Sequence, residues 1–203
     1  MRKYERAAHR AGAAALAFAL STPLSGAALS DTEADKAKLA QCAKDLCSII
    51  VSKKAKGPDL DCDLTKTWEK DQIQRGAESK NLSWGLGSAK CTVKVQAKRS
   101  DLIAAFTASE STFRFGRQWV SCEIGADKYQ ISATMAPELK FKDGLAAGVA
   151  LHMSDIQGAL LIKGVVWTAA ALEENFGILQ GDLIREVNKF IKKECPKILA
   201  APK

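Results

Sequence analysis

Histidine is nearly absent from this chain, and most imidazole chemistry goes with it. Only two occur in 203 residues. One of them, His152, lies beyond the first thirty positions, where alternation turns it outward on a strand. A nucleophile needs a base beside it, and neither G-x-S-x-G nor S-x-x-K occurs. Glu173 and Glu174 are adjacent on a helix flank, about 100° apart, and so diverge instead of facing each other across a cleft. The chain reads as a protein without catalytic machinery.

C-x-x-C is missing as well. The closest cysteines, Cys42 and Cys47, are five positions apart, which does not fit a zinc site. Asp59, Asp61 and Asp63 imitate the opening of an EF-hand loop, but Leu64 stands at its obligatory glycine and Lys70 at its closing glutamate. Gly85 and Gly87 have no third glycine, and a strand follows them where a phosphate loop needs a helix. No metal and no cofactor is implied. No apolar run approaches the roughly 18 residues of a spanning helix.

The first thirty residues differ in kind from the rest. Arg2, Lys3, Arg6 and Arg10 precede a small-apolar run from Ala11 to Leu20, and Pro23 leads to Ala27, Ala28, Leu29 and Ser30. This is the pattern of a secretory signal peptide over 1–30, with cleavage after Ser30 favoured over Ala27 or Ala28. No cysteine follows for lipid attachment, and no arginine pair marks export in the folded state. Removing this segment takes away four basic residues and one acidic one, leaving 26 Lys+Arg against 22 Asp+Glu. A surplus of four does not point to nucleic acid.

All six cysteines follow the cleavage site, and an even count in an exported chain reads as disulfides in a periplasmic or extracellular compartment. Cys91 and Cys122 each sit at the inward parity of a strand and are expected to pair across the sheet. Cys47 is assigned to Cys62, which closes a short loop. Cys42 is left for Cys195, joining the first helix to the last.

From residue 31 onward the pattern is helix, then strands, then helices. Thr32 is a helix cap, with Leu39, Cys42, Leu46, Ile49 and Ile50 as the apolar stripe. A strand through Cys62 is followed by a helix over 67–80, and a second strand runs from Lys90 to Lys98. Ser100 opens a short helix. Phe113 and Phe115 have odd parity while Val120, Cys122 and Ile124 have even parity, so a turn or bulge is expected across Gly116 to Trp119. Tyr129, Ile131, Ala133, Met135, Leu139 and Phe141 face Leu145, Ala147, Val149, Leu151 and Met153 across Asp143-Gly144 as a long hairpin. Ser154-Asp155 starts a helix bearing Leu160, Leu161, Val165, Val166, Trp167 and Phe176, and a last helix from Asp182 ends before Pro196.

The fold class is therefore α+β. One domain over 31–203 has an antiparallel meander of five or six strands against an N-terminal helix and a C-terminal helix pair. The stretch 175–196, with Phe176-Gly177-Ile178, Asn188-Lys189-Phe190-Ile191 and Cys195-Pro196, resembles small exported bacterial proteins of unassigned function. Leu46-Cys47-Ser48 and 60–68 share that resemblance. It implies a bacterial exported setting and assigns no functional residue.

Two functions fit such a scaffold. The first is a binding module holding an apolar ligand between sheet and helices, with Trp84, Trp119 and Trp167 as its lining, although ordinary core explains the same tryptophans. The second is an envelope interaction or structural protein whose outward stripes, Lys90, Lys94 and Lys98 with Arg114, Lys140 and Lys142, meet an anionic partner. Against it, Asp59, Asp61 and Asp63 would neutralise a neighbouring basic strand. A lipid or other envelope component is the expected partner in either case, with no membrane span after cleavage.

Overall fold

The computed structural model describes residues 31–79, 82–160, 162–164, 166 and 180–200. Helix α1 (Glu33–Ser52) begins in a capping box: the Thr32 hydroxyl accepts from the Asp35 amide at 3.1 Å, and the Asp35 carboxylate accepts from the Thr32 amide at 3.0 Å. It ends at Lys53, which adopts the left-handed conformation at φ 50°. Strand β1 (Leu60–Trp68) runs back along it. α2 (Lys70–Glu78), β2 (Ala89–Ala97) and α3 (Arg99–Thr107) follow, then β3 (Glu110–Arg114) and β4 (Gln118–Ile124), and then β5 (Tyr129–Lys142) and β6 (Leu145–Gly158). The helix expected over 67–80 starts later, at Lys70. Thr65, Thr67 and Trp68 favour extended backbone and continue the ladder against Ala89 to Thr92.

All six strands form one antiparallel sheet. β5 is its spine. β4 pairs with Tyr129–Met135 and β3 with Glu138–Lys142, while β6 pairs along nearly the whole of β5. A strand has two edges, so β3 and β4 lie end to end along one edge of β5 and β6 takes the other. Between Arg114↔Glu138 and Gln118↔Met135 the β3–β4 line advances four residues while β5 goes back three. That extra residue is the bulge expected from the parity flip between Phe113 and Val120. Pro137 sits opposite it. Its carbonyl accepts from Phe115 at 2.9 Å, so the missing proline N–H also faces this gap, where no regular ladder bond is lost.

Asp143 and Gly144 have φ of 51° and 74°, the two-residue turn that matches the twist of a hairpin. β6 departs from simple alternation. Bulges near Lys140/Phe141 and Ser132/Thr134 each add a residue on the β6 side, so the inward phase passes from Ala146 to Val149 and then to Ile156. Leu145 and Ala147, expected inside, do not share the phase of Val149, and Ala147 is exposed. The same strand carries on through 154–158, where a helix was expected, with Asp155 at φ 52° in the second bulge. Beyond it Ile162 is buried at 1% exposure while Leu160 is 89% exposed. The rest of that expected helix, including Trp167, lies mostly outside the described residues.

The C-terminal helix α4 (Gln180–Lys189) passes through a π-helical turn (Phe190–Glu194) into α5 (Cys195–Ala200). The expected stop at Pro196 does not occur. The Cys195 amide donates to Phe190, five residues back, and this widened turn accommodates a proline ring that would otherwise press on the carbonyl four residues before it.

The helices cover one face of the sheet. Leu60, Cys62, Phe113, Phe141 and Ala146 meet Ile49 of α1, Leu102 and Ala105 of α3, and Ile184 and Val187 of α4. A second cluster joins Ala89, Ile124, Ile131, Ala133 and Ile156 to Ile162 and to Ile73 of α2.

Three disulfides lock this arrangement. Cys91 and Cys122 are direct cross-strand partners, as expected. The other two pairings differ from the expectation: Cys42 bonds Cys62, and Cys47 bonds Cys195. The reason is the unequal rise of helix and strand. Asp31 is fixed at Lys66 and Thr67. From there Cys42 lies about 16 Å up the chain, and Cys62 lies about 16 Å back along β1. Cys47 is roughly 7 Å farther along α1 and is turned about 140° away from Cys42. It therefore faces α5 and is fully buried with Cys195 and Ile50.

Candidate binding surfaces

The face of the sheet opposite the helices is polar. Alternation places Asp61 and Asp63 of β1, Thr92, Lys94 and Gln96 of β2, Trp119 and Ser121 of β4, Gln130 and Thr134 of β5, and His152 of β6 on this side. Trp119, paired with Thr134, is 50% exposed there. Trp84 belongs to the other side. It packs against the second buried cluster and donates its indole N–H to the Gly87 carbonyl. The structure thus separates these two tryptophans, and Trp167 lies outside the described residues. On the helix-covered face, Val93, Val120 and Met135 are half-buried along the middle of the sheet.

Most of the basic residues singled out in the sequence have acidic partners. Lys90 lies 3.3 Å from Asp35, Lys94 3.5 Å from Asp61, Arg114 2.7 Å from Glu138 and Lys142 3.9 Å from Glu110. Asp63 stands directly across from Lys94, and Asp61 across from Gln96, whose amide donates to it at 3.0 Å. The acidic stripe of β1 thus runs beside the basic stripe of β2 and offsets it. Lys98 and Lys140 are exposed, and neither forms an ion pair among the described residues.

Two carboxylates fix the start of α1. Asp31 accepts from the Lys66 ammonium and the Thr67 amide, and the Lys66 hydrogen bond foremost holds its carboxyl below the usual range against the opposing effect of burial. Asp35 is lowered chiefly by its bonds from Thr32, with Lys90 adding to the effect. At the other end of α1 sits Arg99, 9% exposed, which no motif marked. Its side chain donates to the carbonyls of Lys54 at 2.8 Å and Pro58 at 3.1 Å, and its backbone N–H donates to Asp59 at 2.8 Å. That last bond starts α3, in the place of the expected Ser100 cap; Ser100 instead donates to Asp101.

A second surface lies where α1 meets α5. The segments Cys47-Ser48-Ile49-Ile50-Val51 and Cys195-Pro196-Lys197-Ile198-Leu199 share a spacing, cysteine then isoleucine three later. Ile50 and Ile198 enter the same buried cluster around the disulfide. The residue after each turns about 100° away and stays in solvent: Val51 is 57% exposed and Leu199 37%. Lys53, Lys54 and Lys56 follow Val51 beyond the end of α1. Only the Cys47–Cys195 pairing brings them near the C-terminal lysines.

Among the described residues no three His, Cys, Asp or Glu side chains gather as metal ligands, and no helix is long and apolar enough to cross a membrane. No protein-family model, curated protein or solved structure matches the chain.

Proposed function

We propose that the chain is an exported, non-enzymatic binding module of the cell envelope, freed from an N-terminal signal at Ser30. The observation that supports the exported setting in this reading is the disulfide framework. All six cysteines are paired, in a chain long enough to fold on apolar burial alone. Three intramolecular disulfides suggest an oxidising, exported environment, and a chain with its own core uses them for robustness. The ligand proposed is apolar, held against the half-buried strip at Val93, Val120 and Met135. Native mass spectrometry of protein purified from its own exported fraction tests this. A co-purifying apolar molecule lost in Val120→Asp supports it, and a ligand-free mass matching the chain alone counts against it.

The second reading is an envelope interaction protein that meets an anionic partner through the sheet. Lys98 and Lys140, exposed and in no ion pair among the described residues, are the observation in its favour. Salt-sensitive retention on an anionic surface that Lys140→Gln abolishes is its test.

A further inference from the structure

We propose that the seam between α1 and α5 is a docking surface for an anionic lipid bilayer. It rests on the exported reading above only for its compartment, and it uses neither the Val93 strip nor the sheet lysines.

Three observations converge on it. The first is charge. Lys53, Lys54 and Lys56 follow the end of α1, and Lys192 and Lys193 precede Cys195 by three and two residues. All five are exposed, and none forms an ion pair among the described residues. From Asp31 onward the chain holds 26 Lys+Arg against 22 Asp+Glu, a surplus of four. These five lysines outnumber that surplus, and the carboxylates on the same two stretches are Asp59 and Glu194, the latter 3.8 Å from Lys197.

The second observation is proximity. The Cα atoms of Cys47 and Cys195 are 5.1 Å apart. Lys53 lies about 9 Å beyond Cys47 along the helix and Lys192 about 5 Å before Cys195, so the two lysine groups fall within roughly 20 Å of each other. Lysine side chains on that scale can engage several headgroups of one membrane patch, with long apolar stems that extend their reach.

The third is apolar exposure among those charges. Val51 lies two residues before Lys53, and Leu199 follows the disulfide on the other helix of the seam, both in solvent. A soluble polyanion has no use for such tips. A bilayer interface does, because a cationic rim draws the protein to anionic headgroups and the tips enter the acyl boundary. That combination favours lipid over a free polyanion.

The test uses protein purified after export, with disulfides intact and its N-terminus confirmed, so that no signal segment contributes. It is mixed with phosphatidylcholine vesicles, with or without phosphatidylglycerol, and co-sedimentation is read against ionic strength. Retention is expected only with phosphatidylglycerol, falling as salt rises. The triple change Lys53→Gln, Lys54→Gln, Lys56→Gln lowers partitioning by on the order of a hundredfold, about fivefold per lysine. Val51→Ser lowers it further at an unchanged melting temperature, and the remote control Lys70→Gln, which removes one charge from α2, binds as the parent does. Equal retention on neutral vesicles overturns the proposal, as does a triple variant that binds normally. Loss seen only with Lys140→Gln moves the contact to the sheet, and binding to heparin with none to vesicles replaces lipid by a soluble polyanion; either result also overturns it. Each outcome is independent of whether an apolar ligand co-purifies.

Discussion

Asn188 satisfies both backbone groups of Ala146. Its side-chain carbonyl accepts from the Ala146 amide at 2.8 Å, and its side-chain amide donates to the Ala146 carbonyl at 2.9 Å. Ala146 lies at the start of β6 just after Leu145, and β5 is the strand paired with β6 among the described residues, so the polar groups of alternate β6 residues, Ala146 included, point to the outer edge. One residue of α4 thus stands in for a neighbouring strand and closes an edge that would otherwise invite pairing with another chain. Asn188→Leu leaves a donor and an acceptor unpaired and is expected to cost about 2 kcal/mol in urea unfolding. Asn188→Asp keeps the acceptor but aims a negative charge at the Ala146 carbonyl. Its penalty should shrink when the pH is lowered far enough to protonate that carboxylate.

The loop after α1 depends on Arg99. Arg99→Met removes the donors to Lys54 and Pro58 and should destabilise by about 2 kcal/mol. Gly57 belongs to the same unit: its φ is 145°, and an added Cβ would lie 2.8 Å from the Arg99 guanidinium carbon. Gly57→Ala is therefore expected to cost more than about 1 kcal/mol. Combining it with Arg99→Ala relieves the contact but leaves the backbone penalty, so the double variant should remain less stable than Arg99→Ala alone. Chemical denaturation of the four proteins decides it.

Acid should loosen the start of α1. The folded-state carboxyls of Asp31 and Asp35 lie below the ordinary 3.8. Their contribution is thus complete above that value and is lost as the pH falls through their lowered folded values. Thermal melts from pH 5 down to pH 2 should show stability declining below about pH 4. Asp31→Asn should be less stable than the parent at pH 5 and should decline less steeply.

The three disulfides should yield to a dithiol in a fixed order. Cys91 and Cys122 are half-buried, Cys62 is buried beneath a half-buried Cys42, and Cys47 and Cys195 are both at 0% exposure. Timed reduction, trapping with iodoacetamide and mass analysis should find Cys91 and Cys122 alkylated first and Cys47 and Cys195 last. Removal of the last pair should be the most destabilising. It closes 148 residues, for which chain entropy suggests about 5 kcal/mol, against about 3 kcal/mol for the 20 residues between Cys42 and Cys62.

What could be read from the sequence was whatever a local signal controls. Asp143-Gly144 specifies its turn, Thr32 its cap, and the parity change between Phe113 and Val120 its bulge, because each involves residues that are neighbours in the chain. The bulges of β6 left no such mark: Ala146, Ala147 and Gly148 are all small and tolerate either face. The cysteine pairings needed the relative rise of α1 and β1, which only packing sets, and spacing along the chain misassigned two of the three. Arg99, Asn188 and the α1–α5 seam depend on partners some 40 to 150 positions away, so their roles appear only once the elements are assembled. Trp84 and Trp119 show the same limit. Their residue type suggested a shared ligand lining, but Trp84 lies in the loop before β2 against the second cluster, while strand alternation turns Trp119 to the open face.

Non-reducing peptide mapping of the protein recovered from its exported fraction, combined with its N-terminal mass, tests the account most directly. The expected result is a chain beginning at Asp31, with Cys42 linked to Cys62, Cys47 to Cys195 and Cys91 to Cys122, and no thiol open to alkylation. A retained Met1, a free cysteine, or Cys47 found linked to Cys62 would contradict it.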